Sequence, residues 1–164
     1  MKTRWLLLFG VGLAVILTLL AGQRPASGQE GEEDRNLVGT WNVTLQFPVC
    51  SPTCPCPGGI PNIPVHALQT YVRRGTIVEA PAGTLFRGPG LGSWTGEDDH
   101  DFVAHFKFFL FKPDGTPRGS EEVTDNIDVT GANTFTAAAT FDLFDTAGNM
   151  LAQGCPINES ATRF

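Results

Sequence analysis

After residue 36, apolar and polar side chains alternate with a period of two, the spacing of a β-strand with one buried face. The same alternation runs over 37–47, 123–129 and 135–143, and residues typical of turns separate these segments. No window repeats its apolar residues with the helical period. The pattern therefore predicts an all-β fold. The clearest segment is 101–111. Its alternate residues on one face are all apolar: Phe102, Ala104, Phe106, Phe108 and Leu110.

Short strands at regular spacing, with turn chemistry between them, are typical of antiparallel barrels and sandwiches. About eight strands fit between residues 37 and 164, which suits a small up-and-down barrel. We therefore predict a single antiparallel up-and-down β-barrel over 37–164. A β-sandwich is the alternative with the same pattern.

The first 28 residues have the composition of a secretory signal peptide. Lys2 and Arg4 precede an apolar run over 6–21, and small residues follow at Ala26 and Gly28. The run is shorter than the ~20 residues that span a bilayer, which favours cleavage over a retained anchor. We predict a signal peptide over 1–28 and a secreted or periplasmic protein, with no membrane contact after cleavage.

The segment 29–36 is acidic and carries no apolar side chain, so it is interpreted as a disordered lead-in. The first 28 residues hold three basic side chains and no acidic one, so their removal lowers the net charge from −6 to about −9. A surface of this charge repels nucleic acid. We expect no nucleic-acid partner, and the sequence carries no signal for the oligomeric state.

Three of the four cysteines lie in a proline-rich insertion, residues 48–64, after the first strand. In an exported chain four cysteines indicate two disulfides. A bridge between Cys54 and Cys56 would close a strained ring, so Cys155 is expected to pair with Cys54 or Cys56, and Cys50 with the other. A four-thiolate zinc site suits neither this tight spacing nor an oxidising compartment, and we expect no metal.

The chain resembles the calycin superfamily through Gly39 and Trp41, a Gly-x-Trp motif at the head of the first strand. It is most similar to small secreted bacterial lipocalin-like proteins of unassigned function. Their mid-chain features correspond here to Gly92-Ser93-Trp94, the Phe-rich segment 102–111 and the turn Asp114-Gly115. The resemblance implies that Trp41 closes one end of the barrel and that Arg163 packs across its ring. The insertion 48–64 departs from the family pattern.

The resemblance also implies that the barrel binds a small hydrophobic ligand. The candidate ligand contacts are Phe102, His105, Phe106 and Phe108, and His105 lies on the opposite strand face from the three phenylalanines. Which face lines the interior is open at this level.

Two other functions remain. The first is a protein-interaction module such as a periplasmic protease inhibitor, with the acidic lead-in as an inserting arm. The second is a barrel isomerase or cyclase, which needs a polar pocket residue such as His105 or Glu79. The chain has no Gly-x-Ser-x-Gly, HExxH or phosphate-loop motif, so an enzyme is less favoured and no cofactor is expected.

Overall fold

The computed structural model describes residues 37–83, 86–96 and 99–164, which form one closed antiparallel barrel. Each strand pairs with the next in the chain, and the last pairs with the first, so the sandwich alternative is excluded. The predicted signal peptide and acidic lead-in lie outside the described residues. The strands are β1 (Gly39–Gln46), β2 (Val65–Val72), β3 (Thr76–Pro81), β4 (Gly90–Gly96), β5 (Asp101–Phe111), β6 (Pro117–Gly131), β7 (Thr134–Phe144) and β8 (Met150–Arg163).

The face of each strand that carries the alternating apolar residues points into the barrel, as the alternation predicts. In β5 the side chains of Phe102, Phe106 and Phe108 are buried, whereas His105 and Phe109 are exposed. No helix in the described part of the chain is long and apolar enough to cross a membrane.

One end of the barrel is filled by an aromatic plug. Neighbouring rings meet edge to face with centroids 5.0 to 6.2 Å apart, the arrangement that aromatic quadrupoles favour. The Nε1 of the buried Trp41 donates a 2.8 Å hydrogen bond to the Leu37 carbonyl. The members of the plug are Trp41, Tyr71, Trp94, Phe102 and Phe135.

Arg163 covers the plug where β8 meets β1. Its guanidinium carbon lies 4.2 Å from the centroid of the Trp41 ring, and its Nη1 donates a 2.8 Å hydrogen bond to the Val38 carbonyl. Gly39 has φ of +139°, and a Cβ there would lie 2.6 Å from Arg163 Nη1. Glycine at position 39 therefore leaves room for the cation that covers the tryptophan.

The insertion 48–64 forms the β1–β2 connection and contains one short 3-10 turn, Pro57–Gly59. Two disulfides hold it, Cys50–Cys56 within the connection and Cys54–Cys155 to β8. This is one of the two pairings left open by the sequence. The second bridge spans 101 residues, so it ties the connection to the opposite end of the chain.

We expect Trp41→Ala to lower the free energy of unfolding by about 3–5 kcal/mol, the cost of truncating a buried aromatic side chain. Urea denaturation of the oxidised protein measures it. Phe109→Ala is the control, because Phe109 is 62 % exposed on the outer face. A loss below about 1 kcal/mol for Trp41→Ala would contradict its role as part of the plug.

Removing the two disulfides separately should have unequal effects. Replacing Cys54 and Cys155 with alanine reopens the long loop and should cost about 4 kcal/mol, whereas replacing Cys50 and Cys56 should cost about 2 kcal/mol. Urea denaturation of the two double variants makes the comparison. Equal losses would show that loop closure does not set the contribution of the long bridge.

Candidate ligand-binding site

The barrel end opposite the aromatic plug contains a cavity of about 360 Å³. It lies between the ends of β1, β3, β5 and β7 and the beginnings of β2, β6 and β8. The lining side chains are Leu45, Phe47, Pro55, Cys56, Pro57, Val65, Glu79, Phe86, Arg87, Phe106, Phe108, Leu110, Arg118, Glu121, Val123, Phe141, Leu143 and Ile157.

Two connections form the mouth of the cavity. Pro55 and Pro57 come from the disulfide-held β1–β2 connection, and Phe86 comes from the β3–β4 connection. Phe86 has φ of +50°, a left-handed conformation that a bulky side chain adopts only at a cost of about 1 kcal/mol or more. Its carbonyl accepts a 2.7 Å hydrogen bond from the Phe111 amide, which holds Phe86 at the edge of β5.

An ion pair crosses the apolar wall of the cavity. Arg87 pairs with Glu79, and both side chains are more than nine-tenths buried. The guanidinium carbon of Arg87 also lies 4.2 Å from the ring centroid of Phe108. Burial raises the pKa of Glu79, and the nearby Arg87 charge opposes that rise. The pair leaves Glu79 Oε2 and Arg87 Nε without a hydrogen-bond partner.

Glu121 stands at the cavity wall on β6. Burial raises its pKa to about 7, the Arg87 charge lowers it, and the neighbouring Glu79 raises it. The cavity thus holds a carboxyl group that titrates near neutral pH.

A polar layer lies directly beneath the cavity. Asp125 is the next inward residue of β6 after Val123, and Glu159 is the next inward residue of β8 after Ile157. Both are buried, and Asp125 pairs in register with Ala104 and Ala139, whose small side chains leave room for a carboxyl group. We call Glu79, Asp125 and Glu159 the acid layer.

Hydrogen bonds connect part of the acid layer to the plug. Tyr71 Oη donates to Gln69 Oε1 over 2.7 Å, and Gln69 Nε2 donates to Glu159 Oε2 over 3.3 Å. Both carboxyl oxygens of Asp125 and Oε1 of Glu159 have no partner. A buried polar atom without a hydrogen-bond partner lowers the free energy of unfolding. The acid layer therefore destabilises the barrel, and core packing gives no reason for acids at these positions.

Burial is the main cause of the raised pKa values in this layer. The pKa of Glu159 rises to about 8 through burial and the charge of Glu79, with the Gln69 hydrogen bond opposing the rise. The pKa of Asp125 is raised well above its ordinary value by burial and then by Glu159 and Glu79. Burial and the same three acids raise the pKa of Tyr71.

The structure separates the predicted site residues. Phe106 and Phe108 line the cavity. Phe102 belongs to the plug, 5.7 Å from Trp94 between ring centroids, so it does not face the cavity. His105 is on the outer face, where its Nδ1 lies 3.0 Å from Thr124 Oγ1. It points outward because the phenylalanines at alternate positions of β5 point into the barrel.

The acid layer was missed by the sequence reasoning, apart from Glu79 as a residue of the isomerase alternative. The alternation of the strands does mark these acids. Asp125 falls on the same strand face as Val123 and Ile127, and Glu159 falls on the same face as Ile157. An acid on the apolar face of a barrel strand is a candidate interior group.

No known family model matches this chain, and neither a curated protein nor a solved structure does. Among residues 37–83, 86–96 and 99–164, no group of three or more His, Cys, Asp or Glu side chains is arranged to hold a metal ion.

The raised pKa values make stability depend on pH. An acid whose folded pKa exceeds its unfolded pKa contributes stability fully present below about pH 4 and lost as the pH rises through the folded pKa. We therefore expect the free energy of unfolding to fall between about pH 5 and about pH 8. Hydrogen bonds from Thr116 and Asn149 lower the pKa values of Asp114 and Asp145, so the contributions of these two groups change only at more acidic pH.

Urea denaturation across this pH range tests the expectation. Glu159→Gln should flatten the pH dependence, because glutamine keeps the shape and an acceptor for Gln69 but carries no titrating proton. Glu122→Gln is the matched control, since Glu122 is exposed on the outer face and pairs with Lys107. An unchanged slope in Glu159→Gln would contradict the assignment.

Proposed function

We propose that this protein is a secreted or periplasmic lipocalin-like barrel that binds one small, largely apolar molecule in its open-end cavity. The observation that carries the proposal is the division of the interior: aromatic rings fill one end, and the other end keeps a cavity of about 360 Å³. This volume is within the range of small-molecule sites, and five phenylalanines supply the aromatic part of the lining.

The proposed family membership is supported by the closed eight-stranded barrel and by the contact between Arg163 and Trp41. The proposed location is supported by the two disulfides, which are consistent with an extracytoplasmic compartment. A formed cavity favours small-molecule binding over the inhibitor alternative, which requires none.

A barrel isomerase or cyclase is the second candidate, and one observation favours it. Glu79 presents an unpartnered carboxyl oxygen to the cavity, beside the Arg87 guanidinium. This pair has the chemistry of an acid–base group next to an oxyanion donor. Two measurements on the protein purified from a bacterial periplasm separate the candidates. A retained molecule of constant mass in native mass spectrometry indicates a carrier. Conversion of that molecule to an isomer, followed by NMR because isomers have equal mass, indicates an enzyme.

The cavity should take up a neutral fluorescent hydrophobe such as N-phenyl-1-naphthylamine. We expect saturable one-to-one binding by fluorescence titration of the oxidised, exported chain. Val65→Trp should weaken it about tenfold or more, because Val65 lines the cavity and the indole would occupy the ligand's volume.

Val72→Trp is the matched control on the same strand. Val72 is exposed on the outer face, so this substitution should leave the affinity unchanged. Circular dichroism establishes that both variants are folded. Equal binding by the two variants, or no saturable binding by the unmodified protein, would contradict the proposed function.

A further inference from the structure

The interior around the cavity contains more acid than base. Glu79, Asp125 and Glu159 are all buried, and Glu121 stands at the cavity wall. Within the described residues, the acid layer forms one ion pair, Glu79 with Arg87. Three carboxyl groups in an apolar interior with one neighbouring guanidinium are costly unless protons or a bound cation neutralise them.

Among the unpartnered atoms at this site, hydrogen-bond acceptors outnumber donors. Four are carboxyl oxygens: Glu79 Oε2, both oxygens of Asp125, and Glu159 Oε1. One is a donor, Arg87 Nε. A hydroxyl or carboxamide group would bring acceptors as well as donors into this site. An ammonium group brings three donors and no acceptor, so it matches the excess of oxygens.

The cavity meets the acid layer at Glu79, whereas Asp125 and Glu159 are not among its lining residues. Glu79 lines it directly and uses only Oε1 for Arg87, so Oε2 is left for a ligand. Asp125 and Glu159 are one inward position below the lining residues Val123 and Ile157, a step of about 6.6 Å along a strand. A head group at the base of the cavity would meet Glu79 first and the other two acids below it.

We propose that the ligand is a small aromatic or aliphatic amine, held with its body against Phe106, Phe108 and Phe141 and its ammonium group on the acid layer. This inference rests on the proposed function, because it names the ligand class of the same cavity. The phenylalanine rings favour a cation at their faces, so the apolar wall and the charged head are compatible. Arg87 is engaged by Glu79 and by the Phe108 ring, which limits its repulsion of a second cation.

Amine binding should release protons near neutral pH. Asp125 and Glu159 have raised pKa values, and an ammonium group favours their ionised forms. The inward titratable groups facing this layer come from five elements: Tyr71 on β2, Glu79 on β3, Arg87 on the β3–β4 connection, Glu121 on β6 and Glu159 on β8. Arg118 on β6 also lines the cavity, where its charge acts on Glu121. The inward residues of β1, β5 and β7 are apolar.

The test compares four probes on the unmodified oxidised protein at about pH 7.5: the isosteric set 2-phenylethylamine, 2-phenylethanol and propylbenzene, and the anion phenylacetate. Each is titrated against bound N-phenyl-1-naphthylamine. We expect the amine to bind about tenfold tighter than the alcohol, the value of a hydrogen bond to a charged group. Calorimetry in two buffers of different ionisation enthalpy should show net proton release.

Two neutralising variants locate the ammonium group. Glu79→Gln and Asp125→Asn should each reduce amine affinity toward that of the alcohol while N-phenyl-1-naphthylamine still binds. The control is Glu122→Gln on the outer face, which should change neither.

The outcomes separate the two proposals. If the alcohol or propylbenzene binds as tightly as the amine, the amine inference is overturned and the binding function stands. If phenylacetate binds best, the inference is also overturned, and Arg87 and Arg118 become the recognition groups. If the unmodified protein binds neither the fluorescent hydrophobe nor any of the four probes, both proposals fail.

Discussion

The pairing of β8 with β1 is the contact on which the rest of the structure depends. It joins Trp41 to Arg163 in register and removes the two sheet edges that an open meander would expose. Closure also turns one face of every strand toward a shared interior. Odd or even position along a strand therefore decides whether a side chain meets solvent or the core. The aromatic plug, the acid layer and the cavity are three levels of that one enclosed space.

The interior combines stabilising and destabilising levels. The plug brings five aromatic rings into edge-to-face contact and leaves Trp41 and Tyr71 with hydrogen-bond partners for their polar atoms. The acid layer does the opposite, because it buries carboxyl oxygens without partners. Proteins retain such costs mainly at functional sites, where a ligand or a proton supplies the missing partner. The unpartnered carboxyl groups of the acid layer lie directly beneath the cavity, and this position is the reason to connect them with a ligand bound there.

The cysteine-proline connection links the chain's covalent structure to the cavity. The prolines disfavour an α-helix in this connection, and the Cys54–Cys155 bridge holds it against β8. Pro55, Cys56 and Pro57 therefore form part of the mouth as a restrained segment. Across the mouth, Phe86 is held by its backbone bond to β5. The entrance is built from loops, while the base of the site is built from strands.

Alternation, turn residues and cysteine chemistry are local signals, so the sequence alone predicted the all-β class and two disulfides. It favoured a barrel of about eight strands over a sandwich, but closure itself is not a local signal. The sequence grouped Phe106 and Phe108, which line the cavity, with Phe102, which belongs to the plug. Three further facts follow from the fold and not from the sequence: His105 points outward, Cys54 pairs with Cys155, and Glu79, Asp125 and Glu159 meet in one layer. These three facts depend on strand register and closure, which bring together distant parts of the chain: Glu79 and Glu159 are 80 positions apart, and Cys54 and Cys155 are 101 apart.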